Sequence, residues 1–180
     1  MDGRVLRVAI LALGVALSMG ASKVVLGPSD ALLCYEFAHY DDSRDSVDLC
    51  TRAIREQLIG RIDLAATYAN RGVIRARRRH YERALDDYDD ALRLNPLLLN
   101  AWINRGNVLV RMKRYDEAQK DYDKAVEMSD GQSALVFYNR GIAHEKQGNK
   151  ARARRDYLRA VELEPDTRRY RDALESTEFE

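Results

Sequence analysis

Proline, cysteine, tryptophan and histidine are all scarce in this 180-residue chain, which has three Pro, two Cys, one Trp and three His. Each scarcity removes a class of protein. Two cysteines cannot build a multi-disulfide scaffold or a four-thiolate zinc site, and no CxxC occurs. His39, His80 and His144 stand singly, with no Cys, Asp or Glu joining them at ligand spacing on a matched helical face. His144 and Glu145 open an HE pair, but Gly148 stands where a zinc protease needs its second histidine. GxSxG and GxxxxGK are absent, so there is neither a nucleophile elbow nor a phosphate-cradling loop. No metal, cofactor, small-molecule substrate or catalytic residue is expected. Charge of one sign is lacking too: the formal net charge is +1, and Arg4 and Arg7 against Asp2 account for that excess. Without the first 22 residues the chain is neutral, so no global field draws nucleic acid or an anionic membrane.

What is present is a globular, helix-friendly balance of 46% hydrophobic and 33% charged residues. One long uncharged run exists, Val8 to Ala21, preceded by Arg4 and Arg7 and followed by Ser22. Its length and small-residue ending predict a secretory signal peptide over 1–22, cut after Ala21 or Ser22. The alternative is an uncleaved membrane anchor, although the run falls short of the roughly 20 apolar residues a span needs. Gly27, Pro28 and Ser29 mark a linker over 23–30, with Ser29 or Asp30 as a helix N-cap. Export to an oxidising compartment favours a disulfide between Cys34 and Cys50, worth about 3 kcal/mol in the chain-entropy model. Two buried free thiols are the alternative, and a catalytic cysteine lacks a companion base at recognisable spacing.

The stretch from Leu99 to Gln132 is the unit the chain is built from. Trp102, Gly106, Ala118 and Tyr122 each lie 34 residues after Tyr68, Gly72, Ala84 and Tyr88. Gly141, Ala153, Tyr157 and Ala160 follow Gly106, Ala118, Tyr122 and Ala125 by 35, so one residue is inserted near Asp130 to Ser133. Each copy reads as two helices, and stacked copies bury apolar faces that one copy alone leaves open. Ala84, Leu85, Tyr88, Ala91 and Leu92 form the 3.6-period stripe of a second helix. Asn95 and Pro96 end that helix. The repeats are placed at 65–98, 99–132 and 134–167. Before them, 31–64 reads as a degenerate hairpin in which Cys34 and Cys50 keep the separation of Gly72 and Tyr88. After them, Thr167 caps a polar helix and tail over 168–180 that covers one end of the stack. The recurring glycines predict close helix approach opposite Ala84, Ala118 and Ala153, with the tyrosines filling gaps between neighbouring hairpins.

The order of Trp or Tyr, Gly, Ala, aromatic, Ala and Pro at these spacings resembles the tetratricopeptide repeat. NRG at Asn70, Asn104 and Asn139, with DYD at Asp87 and Asp121, is similar to exported bacterial proteins that pair a cysteine-bearing degenerate repeat with such repeats. The resemblance implies an all-α, right-handed solenoid of antiparallel helix pairs. It also implies a non-catalytic adaptor, exported to a bacterial periplasm or membrane-tethered, holding a protein or peptide segment in the concave groove lined by first helices. Carried onto this chain, the lining residues are Asn70, Val73 and Arg77, then Asn104, Asn107 and Arg111, then Tyr138, Asn139, Ile142 and Lys146, with Ala69 and Ile103 also facing outward. The family's carboxylate clamp is matched only in part, by Asn104 and Asn107. The asparagine ladder has two uses open to it: bonding an extended peptide backbone or bonding between repeats. Arg71, Arg105 and Arg140 are predicted to pair with Asp87, Asp121 and Asp156 as exposed ion pairs of about 0 to 1 kcal/mol each. The basic run from Arg75 to His80 is read as a surface salt-bridged to Glu82, Asp86, Asp87, Asp89 and Asp90.

Overall fold

The computed structural model describes residues 30–40, 46–56 and 60–177, and the predicted leader over 1–22 and most of the linker lie outside them. Among the described residues there are nine helices and no strand: α1(Asp30–Tyr40), α2(Ser46–Glu56), α3(Arg61–Arg77), α4(Tyr81–Leu94), α5(Leu99–Arg111), α6(Tyr115–Met128), α7(Ala134–Lys146), α8(Lys150–Leu163) and α9(Arg168–Ser176). Each helix packs on the next, and α1, α3, α5 and α7 also touch in series. That pattern is a solenoid of helix pairs, with α1, α3, α5 and α7 forming one continuous row. No described helix is long and apolar enough to cross a membrane.

Within each pair the glycine of the first helix receives a tyrosine of the second. A Cβ on Gly72 would stand 2.8 Å from Tyr88 Cε1, one on Gly106 2.8 Å from Tyr122 Cε1, and one on Gly141 2.5 Å from Tyr157 Cε1. The ring filling each notch therefore belongs to the same hairpin, which corrects the expectation of a tyrosine wedged between successive hairpins. Ala84, Ala91, Ala118, Ala125, Ala153 and Ala160 are completely buried beside these rings. In the first pair the place of glycine and tyrosine is taken by a disulfide joining Cys34 to Cys50, across the same separation of 16 residues. Ser46, Cys50 and Ala53 are buried, as the register with Ala84, Tyr88 and Ala91 requires.

Helix ends show where residue identity and geometry part company. Thr167 is the N-cap of α9, but its hydroxyl donates to Glu164 Oε2 and caps no backbone N–H. The turns inside the three tetratricopeptide-like pairs are alike: His80 N–H bonds Arg75 O, Arg114 N–H bonds Leu109 O, and Asn149 N–H bonds His144 O. Each closes a Schellman-type end, which needs a left-handed residue. Glycine supplies it at Gly148, but Arg79 and Lys113 hold φ of 61° and 62° in the other two. Left-handed backbone costs a residue with a side chain about 1 to 2 kcal/mol, part of which glycine's greater unfolded freedom would return. Lys113→Gly is accordingly expected to stabilise the chain by about 0.5 to 1 kcal/mol, read by thermal denaturation.

Candidate functional site

The row of odd helices carries two adjoining hollows on one face. The first, about 400 Å³, is lined by Val73, Ala76, Arg77, Arg79, Tyr81, Tyr88, Asn104, Asn107, Val108 and Arg111. The second, about 660 Å³, is lined by Arg79, Tyr81, Asn107, Val110, Arg111, Lys113, Tyr115, Tyr122, Asn139, Ile142 and Lys146. Sharing Arg79, Tyr81, Asn107 and Arg111, they make one groove.

Eight of the ten predicted lining residues meet there: Val73, Arg77, Asn104, Asn107, Arg111, Asn139, Ile142 and Lys146. Asn70 lies outside both hollows. Tyr138 is diverted to the end of the stack, its ring 5.0 Å from Tyr170 and 5.9 Å from Tyr157. Ala69 and Ile103 are buried instead of facing outward, because they sit between neighbouring helices of the row. Arg77 Nη2 donates to the carbonyl oxygen of Phe37 at 2.8 Å, tying the edge of the groove to α1. Arg79, Tyr81, Lys113 and Tyr115 line the groove without having been predicted. The signal was present, since Arg79 with Lys113 and Tyr81 with Tyr115 recur at the repeat spacing, but they belong to turns and second helices.

Hydrogen bonding fixes part of the lining. Tyr122 Oη donates to Asn107 Oδ1 at 2.8 Å, which leaves the Asn107 NH2 as a donor toward the groove. Burial raises the Tyr122 hydroxyl well above its ordinary pKa, so it stays protonated and keeps donating. Among the described residues the amides of Asn70, Asn104 and Asn139 make no hydrogen bond, so the ladder is not used for bonding between repeats.

A second constellation holds the scaffold. Asp87 accepts from Arg71 Nη2 at 2.7 Å and Arg75 Nη1 at 2.8 Å, Asp121 from Arg105 Nη2 at 2.6 Å, and Asp156 from Arg140 Nη2 at 2.7 Å. The pairing is as expected, but the exposure is not: the Asp87 side chain is 1% exposed and that of Arg71 12%. Each arginine also reaches the preceding hairpin, Arg71 to Thr51, Arg105 to Asp89 and Arg140 to Asp123. Beneath each guanidinium lies the ring of Tyr68, Trp102 or Phe137. The basic run is therefore largely structural, with Arg75 on Asp87 and Arg78 on Ser46 of α2. That corrects the reading in which it pairs mainly with the acids that follow it. Burial pushes the Asp87 and Asp121 carboxyls up from their ordinary pKa, against the pull of the arginines.

His144 takes the position that Arg75 holds in the first of these pairs. Buried, it lies with Nε2 3.8 Å from Asp156 Oδ2, and its Nδ1 has no hydrogen-bond partner. Burial lowers its pKa below 6.5, opposed by Asp156 and assisted by Arg140 and Arg152. The unfolded chain therefore takes up the proton first, and stability present above pH 6.5 is lost as the pH falls through the window below it. The buried Asp87 and Asp121, with pKa raised, act in the opposite sense and only around the carboxylate range. His144→Leu, the residue type at Leu109, is expected to flatten that acid loss and to gain about 1 kcal/mol at neutral pH by removing an unpaired buried nitrogen. Chemical denaturation across the range checks both.

Stacked helix pairs, glycine notches and an open groove define a helical-repeat scaffold of the kind that presents one long face. The chain belongs to the tetratricopeptide repeat family, whose profiles match residues 65–98 and 97–164. Comparison with curated protein sequences returns no significant match. Solved structures share the fold. MamA 41-end from Desulfovibrio magneticus RS-1 is 19% identical over 83% of this chain and 84% of its own, with a TM-score of 0.69. YrrB, described as a repeat protein with an unusual peptide-binding site, is 21% identical over 73% of this chain and 66% of its own, with a TM-score of 0.65. The first repeat domain of Spaghetti (RPAP3), bound to the HSP90 peptide SRMEEVD, is 24% identical over 63% of this chain and 89% of its own, with a TM-score of 0.60.

Proposed function

We propose that the chain is a non-catalytic adaptor that holds an extended segment of a protein partner in the groove along α3, α5 and α7. The observation that carries this reading is the state of the groove's polar groups: Asn104 and Asn139 carry amides that bond nothing else in the described structure. An amide that both donates and accepts can meet a peptide backbone without reading its sequence. Peptide binding by YrrB and by the Spaghetti domain supports the same use of the fold.

The test is a photo-crosslinking residue placed at Ile142, which lines the groove, with Asn104→Ala plus Arg111→Glu as the blocked groove. Crosslinks to a partner that disappear in the blocked form support the reading, whereas capture unaffected by that change removes the groove from it. Action outside the cytoplasm is part of the proposal, supported by the leader-like 1–22 pattern and by the disulfide at Cys34 and Cys50. Intact mass of the purified native protein separates a cleaved leader from a retained membrane tether.

A further inference from the structure

The groove changes character along its length, and that gradient describes its occupant. Four cations line it from α3 to α7: Arg79 and Arg111 face both hollows, Lys113 and Lys146 only the second. Among the described residues the side chains of the four make no ion pair or hydrogen bond, and neither hollow is lined by Asp or Glu. Asp116 and Glu117, which share a third hollow with Lys113, are engaged by Gln147 and Arg114. Glu145, beside Lys146, is already engaged by the Tyr157 hydroxyl. The contrast with the hollow between α4 and α6 is sharp, because there Asp89, Glu117 and Asp121 pair with Arg105 and Arg114. In a chain whose net charge is only +1, an acid-free row of cations is a local device. Two of the four, Arg79 and Lys113, sit on left-handed backbone, so long basic side chains are kept where glycine is favoured.

The α1 end is different. Cys34 occupies the register of Gly72, which places Leu32, Tyr35 and His39 where α3 has Asn70, Val73 and Arg77. Since α1 packs beside α3 in the row of odd helices, those positions extend the same face. Leu32 is 48% exposed and Tyr35 47%. Leu32 stands where the later repeats carry Asn70, Asn104 and Asn139. Tyr35 continues the Val73 and Ile142 positions with its ring against His39, and His39 replaces the cations Arg77, Arg111 and Lys146.

Resting on the reading of the groove as a peptide site, we propose that its partner is an acidic segment bearing one bulky apolar side chain. The apolar group seats on Leu32, Tyr35 and Val73, and the carboxylates seat on Arg79, Arg111, Lys113 and Lys146. Successive helices of the row lie about 10 Å apart and an extended chain advances about 3.3 Å per residue. The acidic run therefore begins about three residues from the anchor, at Arg79 and Arg111 beside Val73, and reaches Lys113 and Lys146 about six residues from it. A nucleic acid would also meet the cations and stack a base on Tyr35, but the aliphatic Leu32 and Val73 offer its bases no stacking face. Exposed acids elsewhere on the surface also oppose a long polyanion.

The experiment uses the full, oxidised chain and fluorescein-labelled peptides in which a run of glutamates is joined through a Gly/Ser spacer to one phenylalanine, made in both orders. At least one order is expected to bind, more weakly as salt rises. Phe→Ser in the peptide should weaken binding about tenfold, and Glu→Gln throughout about a hundredfold. On the protein, Leu32→Asn with Tyr35→Ser should abolish the difference between the Phe and Ser peptides. Arg79→Gly with Lys113→Gly should lower affinity while raising the melting temperature, an opposition that a folding defect cannot produce. Equal binding of the Gln peptide, or unchanged affinity in the glycine variant, overturns the proposal. Tighter binding of a single-stranded oligodeoxynucleotide than of any acidic peptide does so as well. A partner that crosslinks at position 142 while no acidic peptide binds leaves the adaptor reading standing and removes this inference alone.

Discussion

Gly106→Leu is expected to destabilise the middle of the stack by about 3 kcal/mol or more, at the upper end of what overpacking costs. A Cβ alone would stand 2.8 Å from Tyr122 Cε1 and 3.0 Å from Cζ. The ring cannot yield, because it is 1% exposed, packed in the central core with Ala118 and Ala125, and tethered by its hydroxyl to Asn107. The gain in helix propensity on replacing glycine is about 1 kcal/mol and does not offset the clash. For a chain of this size the melting temperature should fall by roughly 10 °C. Because α5 and α6 link the pairs on either side, the transition should also broaden as the outer pairs melt separately, as expected of a one-dimensional array. Gly60→Ala is the control, since its nearest neighbour would be Asp63 Oδ2 at 3.8 Å. A Gly106→Leu protein that melts like the parent would mean that the notch is not packed as described.

The tetratricopeptide pairs were legible because their glycine, alanine and tyrosine spacing follows directly from helix geometry. Helix ends were less so. The row of α3 begins at Arg61, four residues before the repeat spacing begins, since Ile62 and Asp63 carry no periodic signal. Most of the groove was legible as well, because first-helix positions at helical spacing share a face. Arg79 and Lys113 were missed because nothing in their residue type announces left-handed backbone, which asparagine or glycine would have done. Tyr138 was misassigned because periodicity cannot tell that α9 brings Tyr170 against it.

The buried aspartates are the instructive failure. Ala84, Asp87, Tyr88 and Ala91 follow the same three-and-four spacing, so Asp87 lies in the apolar stripe and must be buried with its partners. Reading charge as exposure concealed that. The DYD pattern then gains a physical meaning. Its first aspartate bonds the arginine of its own hairpin, and its second, at Asp89 and Asp123, takes the arginine of the next. In α8 the second place is held by Leu158, which is exposed and meets no arginine in that role.

Asp121→Ala is expected to cost about 3 to 5 kcal/mol, the penalty for stranding a partly buried arginine. Asp121 supplies two oxygens to Arg105, Oδ1 to Nη2 at 2.6 Å and Oδ2 to Nε at 2.9 Å, while Asp89 holds Nη1 from the preceding hairpin. Removing Asp121 leaves the guanidinium over the Trp102 ring with one partner, and that partner is largely exposed. The loss should therefore show in both the hairpin and its junction with the hairpin before it. Burial already raises the Asp121 pKa, so the charged pair is costly to maintain even when intact. It follows that Arg105→Met with Asp121→Leu should recover most of the loss, since apolar side chains of similar size avoid desolvating either charge. Chemical denaturation of the two single variants and the double variant forms a cycle that isolates the coupling between these residues. A coupling near zero would mean that the pair is solvated, as a surface ion pair would be, and that the stack is held by its rings and glycines alone.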